Sequence, residues 1–135
     1  MIPPSVLLVD DDIAILKVFS WRLRTEHFSV TPVSSGSEAI NSLQDAQYDI
    51  VITDLTMDGV DGFEVLTTVK TMAPLTPVII ISGRGEAAKD AFRLGADDFL
   101  VKPFDIEELI FKIRYYLENR NLQHLLTTTP HLEEV

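Results

Sequence analysis

Residues 49–54 are Asp-Ile-Val-Ile-Thr-Asp. The four central residues are β-branched, and the segment lacks the polar alternation of a strand with one face in water. It is typical of a strand that is buried on both sides in a parallel sheet. Its last residue, Asp54, is therefore predicted at the carboxyl end of a buried strand, where open α/β sheets bind their ligands.

Similar apolar runs recur on both sides of this segment, with helical patterns between them. Strands are predicted over residues 6–9, 29–33, 49–54, 78–81 and 99–101. Helices are predicted over residues 13–26, 35–46, 63–72 and 86–94, and from residue 105 onwards. Five strand–helix units in this order predict an α/β domain, a parallel sheet covered by helices on both faces.

The composition excludes several classes of protein. The chain has 135 residues, no cysteine and a formal net charge of −10. One domain of this size needs no disulfides, and a thiolate metal site is excluded. The negative charge disfavours direct binding to nucleic acid or to an anionic membrane. Without a signal peptide or a long apolar segment, we expect a cytoplasmic protein that does not enter the membrane.

Polar residues follow four of the predicted strands, and these strand ends share one edge of the sheet. They are Asp10, Asp11, Asp12, Asp54, Ser82 and Lys102. Asp12 is predicted to cap the first helix. Carboxylates that converge without a cation repel one another, so this edge predicts a site for Mg²⁺, or for Mn²⁺ in its place. Asp54 is then a candidate nucleophile towards phosphorus, and Lys102 would bind a phosphoryl oxygen.

Each of these residues also has an ordinary structural explanation. An aspartate after a strand often caps a helix, a serine often lies in a turn, and a single lysine is commonly surface charge. The site hypothesis depends on all of them occurring together at the same edge of the sheet.

Several segments together resemble the response-regulator receiver domain of bacterial two-component signalling. The matching segments are residues 6–12, 48–57, 61–66, 77–83 and 95–104, in family order and spacing. The resemblance covers about residues 4–120. It implies a flavodoxin-like, doubly wound (βα)₅ fold with a five-stranded parallel sheet.

The resemblance also implies a role for each residue of the site. Asp54 would accept a phosphoryl group from a histidine kinase or a histidine phosphotransfer protein. Asp11 would bind Mg²⁺ directly and Asp10 through water, with Asp54 and the backbone carbonyl of Thr56 as further ligands. Ser82 and Lys102 would contact the phosphoryl oxygens.

A change of shape would follow phosphorylation in such a protein. Ser82 and the aromatic residue Phe99 would move and change the surface formed by helix 4, strand 5 and helix 5. That surface would control an output domain or a partner, which includes a second copy of the chain. Apart from forming and hydrolysing its own aspartyl phosphate, the domain would not be an enzyme.

Three positions depart from the family pattern. Asp58 replaces the usual proline four residues after the acceptor, which predicts weaker order in that loop or altered metal affinity. His27 replaces the usual glycine after the first helix. Phe99 replaces tyrosine, so it has no hydroxyl to donate.

Two further interpretations stay open at this point. One is a pseudo-receiver that only binds partners, and the other is an aspartate-nucleophile phosphatase of the haloacid-dehalogenase type. Residues 1–120 are predicted to form the receiver, and residues 121–135 a helix extension or linker tail. The chain is either a single-domain regulator or part of a longer one, in which any DNA binding would belong to another domain.

Overall fold

The computed structural model describes residues 2–127, with side chains to residue 119. Five parallel strands alternate with five α-helices over this range. The strands are β1 (Ser5–Val9), β2 (Ser29–Val33), β3 (Ile50–Asp54), β4 (Val78–Ser82) and β5 (Asp98–Val101). The helices are α1 (Ile13–Thr25), α2 (Gly36–Asp45), α3 (Gly62–Met72), α4 (Ala88–Arg93) and α5 (Ile106–Thr127).

The predicted fold class is confirmed. The strand order is β2-β1-β3-β4-β5, and every neighbouring pair is parallel. The chain reverses its direction of travel across the sheet after β2, so β1 and β3 are direct neighbours. This is the position in a doubly wound sheet where a ligand crevice opens.

Helices α1 and α3 begin at aspartate side-chain caps. Asp12, the predicted cap of α1, accepts hydrogen bonds from the backbone of Ala14 and Ile15 at 3.1 and 3.2 Å. Asp61 caps α3 by accepting from Glu64 N at 3.0 Å. These bonds satisfy backbone donors that have no partner inside the helix.

The start of α2 differs slightly from an ideal capping box. Ser35 Oγ accepts from Glu38 N at 3.1 Å, as the spacing predicts. The Glu38 carboxylate, however, accepts from the backbone of Ser34 at 2.9 Å, one residue earlier than the reciprocal bond of a capping box. The helix still begins where the sequence indicates.

Two apolar layers enclose the sheet. On one face, β-strand side chains pack against Ala39 of α2, Leu66 of α3 and Ala91 of α4. On the other face they pack against Leu23 of α1 and Ile113 of α5. Because both faces are covered, the central strands β3 and β4 are buried at every residue, as their unbroken apolar runs predict.

Two features of α1 are unfavourable for stability. His27, just after the helix, has φ +71°, a left-handed conformation that favours glycine. Histidine therefore adopts a left-handed turn at this departure from the family pattern. Ser20 is 3% exposed, and its Oγ has no hydrogen-bond partner among the residues that the structure describes.

Ion pairs of Asp97 and Asp98 hold the start of β5 to α3 and α5. Lys70 Nζ contacts Asp97 Oδ2 at 2.8 Å, and Val78 N donates to the same oxygen at 2.8 Å. Asp98 Oδ2 accepts from Lys112 Nζ at 2.8 Å and from the Tyr116 hydroxyl at 2.9 Å. Burial, followed by the hydrogen bond to Asp98, raises the pKa of Tyr116 above its usual range.

The C-terminal prediction lies partly outside the described residues. The backbone of α5 continues through residue 127, which includes the apolar positions 122, 125 and 126. Residues 128–135, with the predicted stop at Pro130 and the tail residue His131, lie outside the described range. The proposed boundary at residue 120 stays a prediction. Within residues 2–127, no helix combines the length and apolar composition needed to cross a bilayer.

Candidate functional site

Three carboxylates converge at the carboxyl edge of the sheet. Val9 of β1 pairs with Thr53 of β3, so the residues that follow, Asp10 and Asp54, are at the same level of adjacent strands. One carboxylate oxygen each from Asp10, Asp11 and Asp54 lies within 4.8 Å of the other two. Asp10 and Asp54 are each 6% exposed, whereas Asp11 is open to solvent.

Backbone hydrogen bonds fix the orientation of the two buried acids. Asp10 Oδ1 accepts from Asp12 N at 2.9 Å. Asp54 Oδ1 accepts from Leu55 N at 3.0 Å, and the same N–H also donates to the carbonyl of Ile81 at 2.8 Å. Each acid therefore has one oxygen occupied by the backbone and a second oxygen with capacity for another partner.

Lys102, the residue directly after β5, brings positive charge to this group. Its Nζ is 3.2 Å from Asp54 Oδ2, the oxygen that the backbone does not occupy. Its own backbone N–H donates to the carbonyl of Ser82 at 2.9 Å, which links the ends of β4 and β5. The peptide bond from Lys102 to Pro103 is cis.

Burial dominates the electrostatics of the site. Loss of solvent raises the pKa of both Asp10 and Asp54 above the ordinary value of 3.8. Lys102 opposes this at Asp54, but its single charge does not balance three carboxylates. The negative charge is therefore held together at an energetic cost that a divalent cation would offset.

The residues present suit a hard cation such as Mg²⁺. All three donors are carboxylate oxygens, and Mg²⁺ prefers oxygen ligands with several positions kept for water or phosphate. Asp11 is exposed and open to such an ion, whereas Asp10 has one oxygen occupied by the Asp12 N–H. The predicted group of Asp10, Asp11 and Asp54 is thus assembled in the structure.

Ser82 and Thr56 flank the carboxylates on the neighbouring segments. Ser82, at the end of β4, is 2% exposed, and its Oγ accepts from Arg84 N at 3.0 Å. Thr56 is exposed and lies two residues after Asp54, in the loop that joins β3 to α3. Both residues therefore occupy the segments that the sequence predicts for the site.

Phe99 and Asp58 are not among the converging carboxylates of this group. Phe99 is half-buried on β5 and packs against the core layer that holds α2, α3 and α4. Asp58 is exposed and is not one of the three converging carboxylates. Its predicted effect on loop order or metal affinity stays a prediction.

Gly62 contributes to the site in a way that the sequence analysis missed. A Cβ at this position would be 2.5 Å from the Asp54 carbonyl oxygen and 2.7 Å from Leu55 Cα. Gly62 is thus required for space beside the strand that carries Asp54. The sequence shows only a glycine at a helix start and does not reveal its neighbour.

A groove lies away from the carboxylates. It has a volume of about 670 Å³ and lies between the ends of α2 and α3, at the amino edge of the sheet. Its lining includes Leu43, Val69 and Met72 but none of the predicted site residues. The groove and the three carboxylates thus lie at opposite edges of the sheet.

Comparison with known proteins identifies the family. The model of the response regulator receiver domain matches residues 6–114. The chain belongs to this family. It is therefore the receiver domain of a response regulator in two-component signalling, and the predicted resemblance is confirmed.

Curated relatives of this receiver domain include the heme response regulator HssR of Staphylococcus aureus. The two are 40% identical over 119 residues, which are 86% of this chain and 52% of HssR. This receiver domain thus spans about half the length of the curated relatives it matches.

Solved receiver domains share its fold. The Francisella response regulator 1452 receiver domain is 30% identical, with a TM-score of 0.80 and coverage of 86% of this chain and 98% of that one. TrrA of Thermotoga maritima, solved in complex with Mg²⁺ and BeF, is 26% identical, with a TM-score of 0.78 and coverage of 84% and 98%. A CheY-like protein of Methanospirillum hungatei, at 24% identity and a TM-score of 0.86 over 90% and 98%, shares the fold.

Proposed function

We propose that this receiver domain is a switch that accepts a phosphoryl group on the Asp54 carboxylate. The donor is the phosphohistidine of a histidine kinase or of a histidine phosphotransfer protein. The observation that carries the proposal is the convergence of Asp10, Asp11 and Asp54 within 4.8 Å, with Lys102 Nζ 3.2 Å from Asp54 Oδ2. If these residues had only separate structural roles, such as helix caps and surface charges, their side chains would not need to converge.

Mg²⁺ is the metal ion that this site would hold. Asp11 would bind it directly, Asp10 through water, and Asp54 and the carbonyl of Thr56 would complete the protein ligands. When bound, the ion supplies positive charge that stabilises the oxygens of the transferring phosphoryl group. Mn²⁺ has the same ligand preferences and would substitute for it.

The protein side chains then have distinct tasks in the transfer. Asp54 Oδ2 forms the new P–O bond while the P–N bond of phosphohistidine breaks. The electron pair of the P–N bond leaves with the donor imidazole, which takes up a proton from solvent. Lys102, already within 3.2 Å of that oxygen, would move its ammonium group to a phosphoryl oxygen.

Ser82 and Phe99 would convert the chemical change into a change of surface. The Ser82 hydroxyl would leave the Arg84 N–H and bind the phosphoryl group, which adds strong acceptor oxygens. Phe99 would turn inward towards the space that Ser82 vacates. The affected surface is formed by α4, β5 and α5, where Phe92 and Val101 are exposed.

This surface would control an output domain or pair with a second copy of the chain. We propose that the receiver itself does not bind nucleic acid or a membrane, since its net charge of −10 would oppose both. Its place is the cytoplasm, and its only chemistry is formation and hydrolysis of its own aspartyl phosphate. The pseudo-receiver and phosphatase interpretations have less support, because all the chemical positions are present and the isolated acid, Asp54, is the last residue of β3.

One experiment tests the proposal. The protein is incubated with Mg²⁺ and either acetyl phosphate or beryllofluoride, and the adduct is located by mass spectrometry. We expect an adduct on Asp54 that is lost in Asp54→Ala and in EDTA. Failure to form an adduct under any metal condition would favour the pseudo-receiver, and repeated turnover of phosphate esters that needs Asp10 would favour the phosphatase.

A further inference from the structure

The loop between β3 and α3, residues 55–61, is enclosed by two glycines from different helices. Gly62 lies against its start, beside Asp54 and Leu55. Gly36, the first residue of α2, lies against its end. A Cβ on Gly36 would be 2.2 Å from the carbonyl oxygen of Val60 and 2.8 Å from Val60 Cγ1.

Neither glycine is needed for its backbone conformation. The glycines with positive φ in the described range are Gly59 and Gly95, and both Gly36 and Gly62 begin ordinary helices. Alanine is the better helix former at such positions. Gly36 is therefore explained by lack of space, because the backbone of Val60 occupies the volume that a methyl group would take.

Two apolar side chains, Met57 and Val60, anchor the middle of this loop to the core. The loop is closed at its base by a hydrogen bond from Gly62 N to the carbonyl of Leu55 at 2.9 Å. Beyond that base, Thr56, Asp58 and Gly59 are exposed. Met57 is buried in the core, and Val60 is half-buried against the same core layer and meets Gly36. The contact with Gly36 is therefore part of one of the two anchors that position the exposed residues.

We propose that Gly36 is a positioning residue for the metal and phosphoryl site. Close packing of α2 on Val60 holds the 55–61 loop so that the carbonyl of Thr56 lies beside the three carboxylates. A side chain at residue 36 would displace Val60 and, through a short loop, Thr56. This inference rests on the proposed function, and it assigns part of the site to a helix that carries none of the ligands.

The test measures Mg²⁺ affinity and loop closure separately. The dissociation constant for Mg²⁺ is measured by titration of backbone amide NMR shifts in the wild type, Gly36→Ala and Val60→Ala. Ser37→Ala, exposed on the same helical turn, is the matched control. Hydrogen exchange of the Gly62 amide, measured without metal, reports closure of the loop.

We expect both test variants to bind Mg²⁺ about ten-fold more weakly, which is typical when a group that orients a ligand is changed. The Gly62 amide should exchange faster in both, and Ser37→Ala should match the wild type. Wild-type affinity in a folded Gly36→Ala, or in Val60→Ala if Gly36→Ala does not fold, would overturn the inference. If the wild type itself does not bind Mg²⁺, the proposed function fails together with the inference.

Discussion

Asp10→Asn should stabilise the protein when no metal is present. Asparagine keeps an oxygen to accept the 2.9 Å hydrogen bond from Asp12 N and removes a buried negative charge. The Asp10 and Asp54 oxygens are within 4.8 Å, so their repulsion is about 3.5 kcal/mol at an effective dielectric constant of 20. The nearby Lys102 offsets part of this repulsion. We expect a net gain of about 1–2 kcal/mol in the free energy of unfolding.

The pH dependence gives this prediction a definite sign. Burial raises the folded-state pKa of Asp10 above 3.8, so the folded protein holds that proton more tightly than the unfolded chain. Below about pH 4 Asp10 is protonated and does not lower the free energy of unfolding. As the pH rises through the folded-state pKa, Asp10 becomes charged and the free energy of unfolding falls. The advantage of Asp10→Asn should therefore be near zero at pH 4, grow with pH and then level off.

The assay is urea denaturation in EDTA, followed by far-UV circular dichroism, at several pH values. Asp12→Asn is the matched control, because it changes the same charge on an exposed residue whose cap asparagine can replace. Mg²⁺ at a hundred times its dissociation constant should add about 2.7 kcal/mol to the wild type and less to Asp10→Asn. Equal or lower stability of Asp10→Asn in EDTA at pH 7.5 would refute the electrostatic account.

Other predictions concern α1 and the loop after β3. His27→Gly should raise the free energy of unfolding by about 0.5 kcal/mol, because relief of the left-handed strain at φ +71° exceeds the added chain entropy. His27→Val should lower it, and a reversed order in urea denaturation would contradict this. Ser20→Ala should raise it by about 1 kcal/mol by removing an unpaired buried hydroxyl, and an unchanged midpoint would indicate a partner for that group. Asp58→Pro should slow amide exchange in the 55–61 loop or alter Mg²⁺ affinity, and no change in either would contradict its assigned effect.

Most of this fold is predictable from sequence because its strands and helices are each specified by short segments of the chain. The strands are short apolar runs that end in an acid, a serine or a lysine, and the structure places their ends within about one residue of the prediction. Convergence of Asp10 and Asp54 was predictable as well, since parallel strands share a carboxyl edge. The predicted helix over residues 86–94 is less regular, because Gly85–Ala87 form a 3₁₀ turn and the α-helix covers only Ala88–Arg93.

Other parts of the site depend on contacts between distant residues. The pairing of Lys102 with one oxygen of Asp54 and the approach of Gly36 to Val60 join segments 48 and 24 residues apart. Composition and hydrophobic periodicity describe neighbouring residues and do not predict which distant side chains come into contact. A glycine that is required for space looks the same in sequence as one required for a turn.

Lys102 comes last in the chain among the residues of the proposed site, so the site is completed late in synthesis. β4 separates β5 from β3, and neighbouring strands are about 4.8 Å apart, so Lys102 reaches Asp54 only when three strands are assembled. A nascent chain that has emerged as far as β4 already contains the three carboxylates but lacks their ammonium partner. The proposed site is therefore complete only after β5, the last strand of the sheet, has docked.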